Sequence, residues 1–126
     1  MKLKTINIKG KEDTPFVILD SANDKFEISG RSLPEDAAEF YEPIIDWIDV
    51  YTSNPNPKTN LIFKLEYFNT SSAKQIYRIL SKFEILHNKN HDHIATWYYQ
   101  KDDKINMETG ERFIRLLKVP IKLVPY

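Results

Sequence analysis

The first thirty residues combine short apolar runs with turn-forming residues. Leu3, Ile6 and Ile8 give a weak strand pattern, and the runs Phe16-Val17-Ile18-Leu19 and Phe26-Glu27-Ile28 give two clearer ones. Glycine, aspartate and asparagine separate these runs, as is usual for turns between strands. The pattern predicts three N-terminal strands, of which the second and third form a hairpin.

A first helix is predicted to run from Ser32 to about Thr52. Its apolar residues recur at intervals of three and four, which is the spacing of one helical face. Ser32 and Glu35 have the spacing of a capping box, and Pro34 is tolerated early in a helix. We therefore expect the helix to begin at Ser32 and to bend at Pro43, because an interior proline removes a backbone hydrogen bond.

The second half of the chain alternates strand patterns with helix patterns. The predicted elements are a strand over 59–68, a helix with an apolar stripe over 76–86, a strand over 94–99, a loop or short helix over 111–117 and a strand over 119–124. In the first of these strands, every second residue from Leu61 to Tyr67 is apolar and is expected on one face. The alternation predicts a single α/β domain over residues 1–126, with one mixed β-sheet packed with helices.

One face of the first predicted helix is acidic, with no lysine or arginine among its carboxylates. Like charges three or four positions apart repel each other by a few tenths of a kcal/mol. Such a face is ordinarily a solvated surface, but its single sign also suits docking of a basic patch on a partner. The residues that we assign to this partner-binding hypothesis are Glu35, Glu39, Glu42 and Asp46.

The junction between the strongest strand and the second helix is rich in hydroxyl groups. Asn69, Thr70, Ser71 and Ser72 are typical of a capped helix start, because their side chains accept hydrogen bonds from free backbone N–H groups. The same free donors and the helix dipole favour an anion, so a phosphate on a hydroxyl there would be held with little rearrangement. Lys74 follows Thr70 by four residues and is a possible counter-charge.

Composition limits the possible functions. Eighteen basic residues balance eighteen acidic ones and cysteine is absent, so neither binding to nucleic acid or an anionic membrane nor thiol chemistry is favoured. The N-terminus lacks the apolar core of a signal peptide, and no apolar run approaches the roughly 20 residues that span a bilayer. We expect a cytoplasmic protein with no nucleic-acid or membrane partner.

Candidate catalytic and ligand-binding groups are few. His87, His91 and His93 are potential metal ligands, but they fall in a predicted polar connection without a recognisable ligand spacing, so we predict no metal and no cofactor. Trp97-Tyr98-Tyr99 lacks the basic stripe of a base-stacking platform, which favours core packing and protein contact. The chain also lacks a glycine-rich phosphate loop and a nucleophile elbow.

Several segments together resemble the SiaC-like family of bacterial regulatory phosphoproteins, which have a STAS-like architecture similar to that of anti-sigma-factor antagonists. The segments are Thr14-Pro15-Phe16-Val17 with Asp20, Ile28-Ser29-Gly30-Arg31-Ser32-Leu33-Pro34-Glu35, Phe40-Tyr41-Glu42-Pro43 with Trp47, Leu65-Glu66-Tyr67-Phe68-Asn69-Thr70-Ser71-Ser72-Ala73-Lys74, and Trp97-Tyr98-Tyr99. The resemblance covers nearly the whole chain, and it is the combined order and spacing that is specific.

The resemblance implies a non-enzymatic adaptor in a partner switch. A dedicated protein kinase would phosphorylate Thr70, a metal-dependent phosphatase would remove the phosphate, and the unmodified form would bind and regulate an effector such as a diguanylate cyclase. Asn69 and Lys74 would then support the phosphosite, and Ser71 and Ser72 would be caps or kinase-docking contacts. The family's acidic run after Trp-Tyr-Tyr is interrupted here by Gln100, Lys101 and Lys104.

Two alternatives stay open from the residues alone. One is a small metal-dependent hydrolase that uses the cluster of His87, His91 and His93 with nearby carboxylates. The other is a constitutive structural subunit in which the hydroxyl junction is only a helix cap.

Overall fold

A computed structural model describes residues 3–126, which form one six-stranded sheet and three helices. The strands are β1 (Ile6–Ile8), β2 (Phe16–Asp20), β3 (Lys25–Ser32), β4 (Lys58–Phe68), β5 (Asp92–Tyr99) and β6 (Ile121–Pro125), and the helices are α1 (Ala37–Tyr51), α2 (Thr70–Asn88) and α3 (Lys104–Leu116). The predicted α/β class with a single mixed sheet is confirmed.

The order of the strands in the sheet follows their order in the chain. β1, β2 and β3 pair antiparallel, and β3, β4, β5 and β6 pair parallel, so each parallel connection passes through a helix. Because such crossovers are right-handed and each moves one strand further in the same direction, all three helices lie on one face of the sheet. The core lies between that face and the helices.

Trp97 of β5 lies at the centre of the part of the core covered by α3. Its ring lies 5.5 Å from the rings of Phe63 and Phe113 and 5.9 Å from that of Phe68. The indole N–H donates to Asn106 Oδ1 at 2.8 Å, and the Asn106 amide donates to the carbonyl of Leu65 at 3.0 Å. The polar atoms of this buried pair are thus satisfied, as burial requires.

The predicted start of the first helix is wrong. Ser32 is the last residue of β3, where it pairs with Phe68, and α1 begins at Ala37 with Asp36 as its cap. Asp36 Oδ1 accepts the N–H of Glu39 at 3.0 Å. The capping-box spacing was misleading because the pairing of Ser32 with β4 depends on residues far away in the sequence. The helix continues through Pro43 to Tyr51.

Two further boundaries also differ from the prediction. α2 continues to Asn88, so His87 is helical, and α3 begins at Lys104, well before the predicted 111. The Asp103 carboxylate caps α3 by accepting the N–H of Asn106 at 3.0 Å. A capping residue in the polar run from Gln100 to Lys104 indicates this start better than the spacing of apolar residues does, because Gly110 interrupts the apolar stripe of α3.

A bulge in β4, in which Glu66 is the extra residue opposite Gly30 and Arg31 of β3, changes the face on which Tyr67 lies. Gly30 pairs with Leu65 but the next residue, Arg31, pairs with Tyr67, and Gly30 has a φ of 97° that favours glycine. Tyr67 is therefore 49% exposed, although the alternation predicts it on the same face as Leu61 and Leu65, which are buried. The Arg31 guanidinium lies over its ring, 5.5 Å from the centroid.

Candidate functional site

The hydroxyl junction lies at the edge of the sheet where the parallel strands end and the helices begin. Asn69 is the N-cap of α2: its side-chain oxygen accepts the N–H of Ser72 at 2.8 Å, and its carbonyl accepts the N–H of Ala73 at 3.0 Å. Thr70 is the first helical residue and is exposed. This arrangement presents the Thr70 hydroxyl to solvent beside a helix N-terminus, where the dipole is positive.

The proposed supporting residues separate into an outer and an inner group. Ser71 and Lys74 are exposed, whereas Ser72 is fully buried. The Ser72 hydroxyl donates to the carbonyl of Ser32 at 2.9 Å and accepts from the Ser32 hydroxyl at 2.9 Å. Ser72 is therefore not a surface contact for a docking kinase and supports the turn from inside.

A groove of about 1050 Å³ separates the start of α1 from the start of α2. Glu35, Asp36 and Glu39 line one side, and Ser71 and Lys74 line the other. Three carboxylates thus face one ammonium group across an open space. Glu35 and Glu39, two residues of the partner-binding hypothesis, lie across this groove from Ser71 and Lys74. Glu42 and Asp46 are exposed further along α1 and do not line the groove.

The acidic face of α1 is next to a basic face of α2. Lys74, Arg78 and Lys82 are exposed along α2, and Lys82 Nζ lies 3.6 Å from Asp49 Oδ1 of α1. Both partners of this ion pair are about half exposed, so solvent screens it. The repulsion within the acidic face therefore has some compensation inside the molecule, which the sequence of α1 alone did not indicate.

The three histidines lie near one another but are engaged in different contacts. His91 Nε2 meets the carbonyl of Asn56, and His93 Nδ1 meets the carbonyl of His91. The His87 and His93 rings are 5.9 Å apart, and His93 is buried at the start of β5. Within residues 3–126, no three histidine or carboxylate side chains converge on a possible metal position.

The Trp97-Tyr98-Tyr99 segment belongs mainly to the packed interior. Trp97 is buried, and Tyr98 packs edge-on against Tyr126 with ring centroids 6.4 Å apart. The Lys64 ammonium lies 4.8 Å from the centre of the Tyr126 ring. The core-packing interpretation of Trp97 is confirmed.

Sequence reasoning missed the roles of Ser32 and Tyr41. The Tyr41 hydroxyl lies 2.6 Å from Ser32 Oγ, and Ser32 in turn contacts Ser72. The sequence predicts Ser32 as a helix cap, and it singles out Tyr41 only within the segment Phe40-Tyr41-Glu42-Pro43 of the family resemblance. The signal that finds them is the parallel register of β3 with β4, which places Ser32 opposite Phe68 and therefore next to the start of α2.

Across residues 3–126, each helix is too short or too polar to cross a membrane.

Comparison with solved structures gives close matches over almost the whole chain. SiaC of Pseudomonas aeruginosa is 25% identical with a TM-score of 0.87, and the match covers 98% of this chain and 99% of that one. SiaC in a crystal structure of the diguanylate cyclase SiaD with its activator SiaC, also from P. aeruginosa, is 26% identical with a TM-score of 0.87 and matches 96% and 99% of the two chains. Both likenesses therefore extend to the complete fold.

Sequence comparison agrees with these structural matches. A protein of P. aeruginosa strain UCBPP-PA14 is 27% identical over 111 residues, which is 88% of each chain. The profile of the SiaC family regulatory phosphoproteins matches residues 8–126, which include the whole site described above. These matches identify a regulatory protein and not an enzyme, which removes the hydrolase alternative. The chain belongs to the SiaC family of regulatory phosphoproteins.

Proposed function

We propose that this protein is a phosphorylation-controlled adaptor in which Thr70 is the phosphoacceptor. The observation that carries the proposal is the exposed Thr70 hydroxyl on the first residue of α2, behind the Asn69 cap, in a chain of a phosphoprotein family. A protein kinase adds the phosphate and a metal-dependent phosphatase removes it. The switch operates in the cytoplasm, where a protein kinase has access to ATP.

The position of Thr70 suits a phosphate energetically. A phosphothreonine carries roughly −1.5 to −2 charges near neutral pH, and the N-terminus of a helix stabilises negative charge. Lys74 lies one turn further along the same helix and lines the groove beside it. The modification therefore changes the surface charge without opposing the fold, and its effect is on recognition.

The unmodified protein binds an effector, for which a diguanylate cyclase is our candidate. The basis is the P. aeruginosa relative, which is described as the activator of the diguanylate cyclase SiaD in their complex. The loop that begins at Gln100 is exposed and contains Lys101. We therefore expect the effector of this protein to differ from SiaD in the surface that meets this loop.

The acidic face of α1 is the proposed docking surface. Glu35 and Glu39 line the groove beside Ser71, and Glu42 and Asp46 extend the same charge along the exposed side of α1. A basic patch on the effector would be steered to this face at long range. Added phosphate at the end of the face then alters both the charge and the shape that the effector meets.

The experiment that tests this proposal compares two forms of the protein. Purified protein with phosphothreonine incorporated at position 70 and unmodified protein are each titrated with a diguanylate cyclase from the same host, while cyclase activity is followed. We expect binding and stimulation by the unmodified form and a loss of at least tenfold in affinity, about 1.4 kcal/mol, for the phosphorylated form.

Controls come from the neighbouring hydroxyl and from the host. Mass analysis of protein isolated from host cells should find phosphate on Thr70 in the wild type and in Ser71→Ala. The Thr70→Ala protein should carry no phosphate at this position. Equal binding by both forms, with no phosphate on Thr70 under any growth condition, would instead support a constitutive structural subunit.

A further inference from the structure

Three buried hydroxyl groups form a chain beneath the first turn of α2. Tyr41 Oη lies 2.6 Å from Ser32 Oγ, Ser32 Oγ donates to Ser72 Oγ at 2.9 Å, and Ser72 Oγ donates to the Ser32 carbonyl at 2.9 Å. All three side chains are fully buried. The chain therefore links α1, the end of β3 and the start of α2 through contacts that water does not reach.

The direction of the hydrogen bonds among these three hydroxyl groups follows from the number of protons. Each hydroxyl has a single hydrogen to donate, and that of Ser32 is directed to Ser72, so Tyr41 donates to Ser32. Burial raises the pKa of Tyr41 to about 12, against the smaller opposing effect of its hydrogen bond to Ser32, so the phenol keeps its proton at neutral pH. Every donor in the chain thus has an acceptor, and buried networks of this kind fix side-chain positions.

The chain ends on the carbonyl group that also holds the N-cap. The Ser32 carbonyl accepts the N–H of Asn69 at 3.1 Å as well as the Ser72 hydroxyl. Asn69 and Ser72 are in addition joined to each other by the cap, with Ser72 N–H donating to Asn69 Oδ1. Thr70 therefore lies between two residues that are fixed to the same atom of β3, while its own side chain is exposed.

We propose that Tyr41, Ser32 and Ser72 are positioning residues for Thr70, which hold the first turn of α2 in the geometry presented to the modifying enzymes. The inference rests on the proposed function, because it takes Thr70 as the phosphoacceptor. It assigns Ser72 an internal role and excludes it as a second acceptor. It also connects the phosphosite to α1, which carries the proposed docking face.

The protein offers a comparable pair of variants for the test. Tyr51 is a second buried tyrosine of α1, and its hydroxyl lies 2.8 Å from Thr59 Oγ1 at the other end of the helix. Tyr41→Phe and Tyr51→Phe each remove one buried phenol hydroxyl that is bonded to a strand hydroxyl. The Tyr51 hydroxyl also accepts the N–H of Asn56 at 3.0 Å, so Tyr51→Phe should lose at least as much thermal stability as Tyr41→Phe. Only Tyr41→Phe breaks the chain beneath Thr70.

Two readouts separate positioning from general stability. Amide hydrogen exchange of Ser72 and Ala73, measured by NMR on the complete protein, reports the first turn of α2, and mass analysis of protein from host cells reports the phosphorylated fraction of Thr70. We expect Tyr41→Phe and Ser72→Ala to speed this exchange by about tenfold and to lower the phosphorylated fraction several-fold. Tyr51→Phe should leave both at wild-type values.

The outcomes distinguish this inference from the proposed function. Equal exchange and equal phosphorylation in Tyr41→Phe and Tyr51→Phe would overturn the positioning role. Local loosening in Tyr41→Phe together with no phosphate on wild-type Thr70 would support the structural connection and overturn the proposed function instead.

Discussion

Asn69 determines where α2 begins. Its extended backbone, with φ −88° and ψ 174°, turns the chain out of β4. Its side chain satisfies one of the free N–H groups of the first turn, and its carbonyl accepts the first intrahelical hydrogen bond. The same residue leaves Thr70 and Ser71 as the exposed residues of that turn. Capping and presentation of the hydroxyl are therefore two consequences of one local geometry.

Replacement of Asn69 by alanine should lower the free energy of unfolding by about 1 kcal/mol, because the N–H of Ser72 loses its acceptor. Urea denaturation followed by circular dichroism measures the change. Ser71→Ala is the control, since an exposed hydroxyl away from the cap should change the stability by less than about 0.5 kcal/mol. Equal losses in the two variants would show that Asn69 does not act as a cap in solution.

Tyr41 should make the protein sensitive to alkali. Its pKa is raised by burial from 10.0 to about 12 in the folded state, so the unfolded state ionises first as the pH rises. The stability linked to Tyr41 is complete below pH 10 and is lost between about pH 10 and 12, at up to roughly 1.4 kcal/mol per pH unit.

Urea midpoints at a series of pH values from 8 to about 11 test this linkage. The decline above pH 10 should be less steep in Tyr41→Phe than in the wild type, because phenylalanine has no proton to lose. Tyr51→Phe is the comparison, and it should keep the part of the decline that belongs to Tyr41. Parallel curves for wild type and Tyr41→Phe would contradict the raised pKa.

Among the secondary-structure elements, those with strong local patterns were predictable and those fixed by distant contacts were not. Residues 58–68 alternate clearly enough to give β4, and Asn69 gives the start of α2. The spacing of Ser32 and Glu35 is misleading because the pairing of Ser32 with Phe68 is invisible locally. Tyr67 leaves the face of Leu65 because Glu66 is the extra residue of a bulge in β4, which only the pairing with β3 reveals. Of the site, the exposed hydroxyls could be predicted, but the groove and the chain under the turn needed the packing of α1 against α2.

Gly110 is the residue that allows α3 to approach the sheet. A Cβ atom there would lie 2.6 Å from Leu123 Cδ2 and 2.9 Å from Trp97 Cδ1. The leucine end has some freedom, but the Trp97 ring is held by three aromatic neighbours and by Asn106. The lack of a side chain at residue 110 therefore sets the distance between α3 and the sheet.

Gly110→Ala should destabilise the protein by about 1–3 kcal/mol, although alanine is the better helix former, because the added methyl group overpacks the core. Thermal denaturation provides the measurement, and near-ultraviolet circular dichroism should report a changed environment of Trp97. Glu108→Ala on the exposed side of the same helix should be close to neutral. A more stable Gly110→Ala protein would mean that α3 moves outward without cost.

For the whole molecule, the topology gathers the functional groups at one edge. The three helices each follow one of the parallel strands, so their N-termini lie at the carboxyl ends of β3, β4 and β5, the edge at which open α/β sheets usually bind their ligands. The acidic groove and Thr70 both occur there. A single domain over residues 1–126 and a STAS-like architecture stay predictions, whereas membership of the SiaC family places this edge in a regulatory protein.

Docking through the acidic face should respond to charge and to salt. The double variant Glu39→Lys and Asp46→Lys replaces two exposed carboxylates on α1 by ammonium groups, and we expect about five- to tenfold weaker binding to a diguanylate cyclase at low salt. The difference should shrink near 1 M salt, where the Debye length falls to about 3 Å.

The matched control for this experiment is Glu108→Lys with Glu111→Lys on α3, which makes the same change in net charge away from α1. That variant should bind as the wild type does, because its charges are remote from the groove between α1 and α2. Weaker binding in both variants would indicate a response to net charge, and unchanged binding in the α1 variant would show that the acidic face is an ordinary solvated surface. In that case Thr70 would act through the start of α2 alone, since Glu39, which the α1 variant replaces, also lines the groove.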